Sequence, residues 1–267
     1  LPGRSTEPRL QHFRAVDGLT IPFWEYLPKD PPRGTLVWVH GGPEGQSRPG
    51  FLPILAFLAD EGFRLLVPNV RGSLGYGRTY VHLDDVRLRM DSVRDLQDLV
   101  GWDRAARPTR PDRSYGIIGG SYGGFMVLAA LTTYPELWAA GVDIVGIANF
   151  ITFLERTGAW RRKVREDEYG SLERDREFLR SISPLFQADR IVAPLLVIHG
   201  ANDPRVPIHE AEQIVAALRL RQVPVELLRY DNEGHGLVRR ENQVEAYSRA
   251  AEFFDRHVTR GRPEDPR

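Results

Sequence analysis

The chain has 267 residues, with 36 Lys and Arg set against 36 Asp and Glu and no cysteine. Zero formal charge argues against a general nucleic-acid or membrane-surface role. Without cysteine there are no disulfides, thiolate metal sites or Cys nucleophile, which fits a reducing or redox-indifferent setting, and a cytoplasmic location is expected.

That length suits one large α/β domain with a sizeable core, here taken as residues 1–267. The chain begins at Leu1 without an initiator Met or a signal-peptide pattern, as a processed chain or a piece of a longer one would. Residues through Pro8 are polar and read as frayed. Phe13 to Pro28 reads as two strands around the turn Asp17-Gly18. Thr35 to Val39 is a buried strand ending in glycines, followed by a helix from about Phe51 to Glu61 closed by Gly62. Another buried strand starts at Phe63. From about Asp85 to Arg107, Val86, Met90, Val93, Leu96 and Val100 recur at the period of an amphipathic helix.

Ser114 to Ile118 is a strand, Tyr122 to Thr133 a helix, and another strand runs near Ala140 to Ile147. Tyr115 to Pro135 carries no charge, yet its five glycines divide it into strand, turn and helix rather than a bilayer span. Residues 150 to 190 are less regular and strongly charged, with the cluster Arg161-Arg162-Lys163-Val164-Arg165, and read as an insertion over the edge or mouth of a sheet. That cluster reads as a solvated, ion-paired face, with capture of a substrate carboxylate as the other reading. Trp160, Phe150 and Phe153 read as core, with a pocket lining as the alternative. Pro194 to Gly200 is the next strand, Pro207 to Leu220 a helix, Val225 to Asp231 the last strand and Glu241 to His257 the last helix. Strands alternating with helices predict a mostly parallel sheet covered on both faces, with chemistry just beyond the strands' carboxyl ends.

Gly119-Gly120-Ser121-Tyr122-Gly123 fits the G-x-S-x-G nucleophile elbow, with a strand before it and a helix after. The sharp turn forces the serine into a strained conformation, and residues two before and two after must be tiny to avoid neighbouring backbone. A tight turn or phosphate loop is the alternative, but no Lys-Ser/Thr follows as a P-loop needs. A serine hydroxyl needs a base. His235, between Gly234 and Gly236 past a strand, suits that role. His12, His82, His209 and His257 lie in polar or helical contexts, and His40 and His199 read as packed residues bonding local backbone. Asp203, directly after Leu195 to His199, is the candidate orienting carboxylate, with a turn-capping Asp as the plain alternative and Asp143 and Asp231 as rivals. The order Ser121, Asp203, His235 is that of α/β-hydrolases. For the oxyanion, the Tyr122 amide at the helix start and the Gly42 amide in His40-Gly41-Gly42-Pro43 are the candidate donors. The chemistry calls for no metal and no cofactor.

"HGGP", "PNVRGSLGYG", "GGSYGGFM", "SPLFQADRIVAPLLVIHGANDPRVP" and "EGHGL" resemble the catalytic domain of prolyl oligopeptidase family serine peptidases, the acylaminoacyl-peptidase-like branch most closely. The resemblance runs from about Phe13 to the C-terminal helix. It implies the α/β-hydrolase fold, Ser121, His235 and Asp203 as a triad, Gly42 and Tyr122 as oxyanion donors, and a loop of Arg71, Gly72, Ser73, Gly75, Tyr76 and Gly77 near the mouth. It also implies cleavage of short or N-acylated peptides, with small esters as the alternative substrates and an inactive binding module as the minor alternative. Family members carry an N-terminal β-propeller that screens substrates. Nothing in this chain reads as propeller blades, so the propeller is missing or this is a free-standing hydrolase. Assembly into a homo-oligomer is left open.

Overall fold

The computed structural model describes residues 7–107 and 115–259. Eight strands form one sheet: β1 (Arg9–Arg14), β2 (Thr20–Tyr26), β3 (Gly34–Val39), β4 (Phe63–Pro68), β5 (Tyr115–Gly120), β6 (Trp138–Ile144), β7 (Leu195–Gly200) and β8 (Val225–Tyr230). Their order is β1-β2-β4-β3-β5-β6-β7-β8. β1 and β2 form the antiparallel hairpin expected around Asp17-Gly18, and β2 also runs antiparallel to β4. Every pairing from β4 through β8 is parallel. The middle strands are buried on both faces, so they carry unbroken apolar runs such as Leu36-Val37-Trp38-Val39 and Leu195-Leu196-Val197-Ile198.

Nine α-helices connect them: α1 (Pro53–Asp60), α2 (Arg78–Val81), α3 (Arg89–Ala106), α4 (Tyr122–Thr133), α5 (Phe150–Arg156), α6 (Ala159–Tyr169), α7 (Arg176–Ile182), α8 (His209–Leu220) and α9 (Arg240–Val258), among the described residues. α1 and α9 close one face, with Leu55, Leu58, Phe253 and Phe254 against Leu36, Leu65 and Val142. α3, α4 and α8 close the other, with Val93, Leu96, Phe125, Val127 and Ile214 against Val37, Ile117 and Val197. This is the α/β-hydrolase architecture.

The uncharged stretch resolves into β5 and α4, as expected; its strand start, Ser114, lies outside the described residues. Among the described residues no helix is long and apolar enough to cross a membrane. Two expectations shift. The helix placed from Asp85 begins at Arg89, after a 3-10 turn at Val86–Leu88 in which Val86 has φ 42°. Residues 150–190 are mostly helical rather than irregular. In α6 the apolar residues are Ala159, Trp160, Val164 and Tyr169 among seven others, too few to show a period. Phe150 and Phe153 are core residues, as expected, but Trp160 is 76% exposed and is not.

Asp143 lies inside β6, fully enclosed. A Cβ at Gly124 of α4 would stand 2.3 Å from its Oδ1, and one at Gly146 2.1 Å. Burial, relieved only in part by the Gly146 amide, pushes this carboxyl from 3.8 up to about 7. Between those values the unfolded chain has released the proton and the folded chain keeps it. Stability therefore declines as pH rises through that window, on the order of 1.4 kcal/mol per pH unit, and flattens above it. Asp143→Asn cannot ionise. Its unfolding free energy in urea is expected to gain about 1 kcal/mol per pH unit on the parent chain between about pH 5 and pH 7. Parallel pH curves for the two chains would contradict this.

Candidate active site

β5 ends at Gly120, and the chain turns through Ser121 into α4. Ser121 has φ 59° and ψ −119°, a costly conformation for a side-chain-bearing residue. Close packing holds it there. A Cβ at Gly119 would lie 2.4 Å from the Gly123 carbonyl oxygen, and one at Gly123 2.1 Å from that of Val39. α4 thus rests almost directly on the end of β3, which is why both positions are bare. The Ser121 amide donates to the Ile144 carbonyl at 2.8 Å, and its own carbonyl accepts from the Gly124 and Phe125 amides at 2.9 and 3.1 Å. The hydroxyl stands at the positive end of a twelve-residue helix.

Asp203 follows β7 and His235 follows β8, so neighbouring strands deliver both to the carboxyl edge where Ser121 sits. His235 Nδ1 is 2.7 Å from Asp203 Oδ2, and its Nε2 is 3.0 Å from Ser121 Oγ. The Asp203 side chain is wholly buried and the imidazole 19% exposed. The other Asp203 oxygen accepts from the Arg205 and Val206 amides at 2.8 and 3.0 Å, which fixes the carboxylate plane. With Asp203 accepting from Nδ1–H, the lone pair of a neutral ring faces the hydroxyl at Nε2. The arrangement can therefore take a proton from Ser121 and hold the imidazolium that results.

The rival groups lie elsewhere. Asp231 is exposed and paired with Arg229 at 2.8 Å. His199 Nε2 bonds the Val206 carbonyl at 2.9 Å, as expected of a packed residue, and burial lowers its pKa. His40 does the same locally: Nδ1 lies 2.9 Å from the Gly41 carbonyl and Nε2 2.8 Å from Ser73 Oγ. Through Ser73 and the 2.8 Å bond from the Leu74 amide to the Gly45 carbonyl, the loop of residues 71–77 braces the glycine turn. Its Arg71 is buried against Asp95 at 2.7 Å.

Gly41 packs on the elbow: a Cβ there would meet Gly120 O at 2.9 Å and Ser121 Cβ at 3.2 Å. Gly42, next to it, has φ 147°. Gly41 thus lies against the elbow on one side of the hydroxyl, and the first turn of α4, Tyr122 included, starts on the other.

Several supports were not read from the sequence. Buried Arg89 pairs with Asp84 and with Glu168 of α6, and reaches Tyr122 Oη at 3.1 Å. Tyr122 Oη also lies 3.0 Å from Ser92 Oγ and 3.2 Å from Asp84 Oδ2. Burial pushes Asp84 up to about 7, against the pull of Arg89. The available signal was that Arg89, Val93, Leu96 and Val100 share one helical face, so the arginine stands on the apolar stripe. Glu233 staples the His235 loop to α9 by accepting from the Val238 and Arg239 amides at 3.1 and 2.9 Å and from Asn242 Nδ2 at 2.7 Å. Asp84, Asp85 and Glu168 bring carboxylate oxygens within 4.8 Å of one another, but the Arg89 guanidinium already supplies the cation there.

Residues 49–261 match the model of the prolyl oligopeptidase family. Dipeptidyl peptidase family member 6 of Caenorhabditis elegans is 37% identical over 230 residues, covering 84% of this chain and 31% of that protein. The human acylamino-acid-releasing enzyme is 29% identical over 243 residues, covering 86% and 33%. The structure of Pyrococcus horikoshii acylaminoacyl peptidase superposes with a TM-score of 0.86 at 28% identity, over 95% of this chain and 42% of that one. The chain spans about a third of the length of the curated relatives it matches.

Gly123→Ala sets a methyl against the Val39 carbonyl and forces α4 away from β3. It is expected to destabilise the chain by about 1–3 kcal/mol in denaturant unfolding and to slow fluorophosphonate labelling of Ser121 at least tenfold. Wild-type labelling in that variant would show that the elbow does not depend on this contact.

Proposed function

The chain belongs to the prolyl oligopeptidase family, and from that premise we propose that it is a serine peptidase that hydrolyses amide bonds of short or N-acylated peptides through an acyl-enzyme. The observation that carries this reading is the continuous line Asp203–His235–Ser121, at 2.7 and 3.0 Å, ending on a hydroxyl held in an elbow.

Ser121 Oγ attacks the substrate carbonyl carbon as His235 Nε2 takes its proton. Asp203 holds the tautomer and stabilises the imidazolium. The oxygen of the tetrahedral intermediate takes up its negative charge facing the Gly42 and Tyr122 amides, at the positive end of α4. His235 then gives the proton to the leaving amine, the C–N bond breaks and the acyl group stays on Ser121. Water, deprotonated by the same imidazole, releases the acid and restores the hydroxyl.

Tyr122 gives two services in this reading. Its amide faces the site while its side chain is locked behind it by Arg89, Ser92 and Asp84. A displaced α4 would move nucleophile and donor together. The acylaminoacyl peptidases and acylamino-acid-releasing enzymes among the similar proteins support an N-acylated peptide as substrate, and the matching catalytic scaffold supports amide rather than purely ester chemistry. The length those relatives have beyond the matched region belongs to this reading as the substrate-screening β-propeller of the resemblance. The lack of cysteine supports a reducing, cytoplasmic setting.

Ser121→Ala is expected to lower hydrolysis on the order of 10⁶-fold and to abolish fluorophosphonate labelling; Asp203→Asn is expected to lower turnover about 10⁴-fold with the fold intact by circular dichroism. An acyl-amino-acid anilide is expected to be cleaved at a substantial rate beside a short-chain nitrophenyl ester. Labelling that persists without the Ser121 hydroxyl would overturn the assignment, and ester turnover without any anilide turnover would make the chain an esterase.

A further inference from the structure

The arginine cluster of α6 does not behave as one solvated face. Arg162 turns back to the Leu154 and Glu155 carbonyls at 2.7 and 2.9 Å. Lys163 and Val164 face solvent. Arg165, half-buried, reaches the Gly42 carbonyl at 3.2 Å and Glu44 at 3.5 Å. Arg161 lies one turn earlier on the side that Arg165 occupies, half-buried, its guanidinium 5.5 Å from the ring of exposed Trp160. Among the described residues no carboxylate lies within ion-pair distance of Arg161.

The placement of α6 gives these residues their meaning. Just before the helix, Thr157 Oγ1 donates to the Arg205 carbonyl at 3.0 Å, two residues beyond Asp203. In its second turn, Arg165 touches the Gly42 turn. The helix therefore bridges the loop that carries the buried carboxylate and the loop that carries the glycine turn, with Arg161 between them. Arg205 is exposed and also lacks a carboxylate partner among the described residues. Burial and the positive charges of Arg165 and Arg205 lower the Arg161 pKa, with Tyr169 and then Asp203 opposing them. Asp203 is already committed to His235, and Glu44 to Arg165. The cationic charge at the mouth thus exceeds what its neighbours neutralise.

We propose that Arg161, backed by Arg165, is a specificity residue that binds a carboxylate of the substrate, so that the chain favours acidic peptides. The proposal rests on the peptidase reading above. A half-buried guanidinium that already stands partly dehydrated against an indole offers a planar pair of donors to a carboxylate at little further desolvation. The carboxylate has two sources, an acidic side chain on the acyl side of the scissile bond or the free C-terminus of a short peptide.

The test compares kcat/KM of the 267-residue chain for matched N-acetyl peptide anilides with Glu or Gln at one, two or three residues before the scissile bond, and for short peptides ending in a free acid or an amide. At one position Glu is expected to exceed Gln about tenfold, or the free acid to exceed the amide by that factor; which arm responds identifies the source. The ratio is expected to shrink toward unity in Arg161→Ala, to invert in Arg161→Glu, to persist in part in Arg161→Lys, and to fall as salt rises. Equal rates for acidic and neutral substrates, with the Gln peptides cleaved and Ser121 labelled, would overturn this inference and leave the peptidase reading standing. An unchanged ratio in both Arg161→Ala and Arg161→Glu would overturn it too. A chain that cleaves no peptide and takes no fluorophosphonate would overturn both.

Discussion

The geometry of the site depends on one close approach, that of α4 to the end of β3. With Gly123 on the Val39 carbonyl and Gly119 on the Gly123 carbonyl, no atom separates helix from sheet. A backbone that passes from strand to helix within that space has one way to go, through the left-handed region at Ser121. The rest of the core supports the contact. α4 is buried along nearly its whole length, so its packing against β5, β6 and α3 offsets the local strain. The hydroxyl is prominent because everything around it is small.

The neighbouring loops follow from parallel strand order. β5, β6, β7 and β8 lie side by side, so the turns after them open on one edge. Asp203 and His235 need only short loops to reach Ser121. Each loop is secured by buried carboxylate bonds, Asp203 to its own downstream amides and Glu233 to the start of α9. The imidazole sits between two glycines, yet it is held by its neighbours in sequence rather than left to swing.

Most of the framework was legible because its signals are local. An apolar run bounded by glycines reads as a buried strand, and the elbow has a fixed spacing tied to a steric cause. Asp203 and His235 could be placed because each follows a strand in the expected order. What could not be read depends on contacts between distant segments. Asp84 and Arg89 are near neighbours in sequence, but Glu168 comes from α6, 79 residues beyond Arg89, and nothing local to it shows that it turns inward. The helices between residues 150 and 182 were obscured because charge covers most of α6, whose inward side carries arginines rather than leucines. Trp160 misled for the opposite reason: a large aromatic reads as core, but here it lies over the helix surface beneath Arg161.

β8, the strand that leads to His235, is the outermost of the sheet and is only partly covered. An edge strand can fray without disturbing the core, since only one neighbour holds it. In this chain the loop that carries the imidazole follows that edge strand and depends on its bonds to Asp203 and α9, while Ser121 stands on β5 and α4 inside the core. The hydroxyl thus rests on the sheet's buried centre and the imidazole at its rim, so the two partners of one hydrogen bond stand on parts of the fold with unequal support.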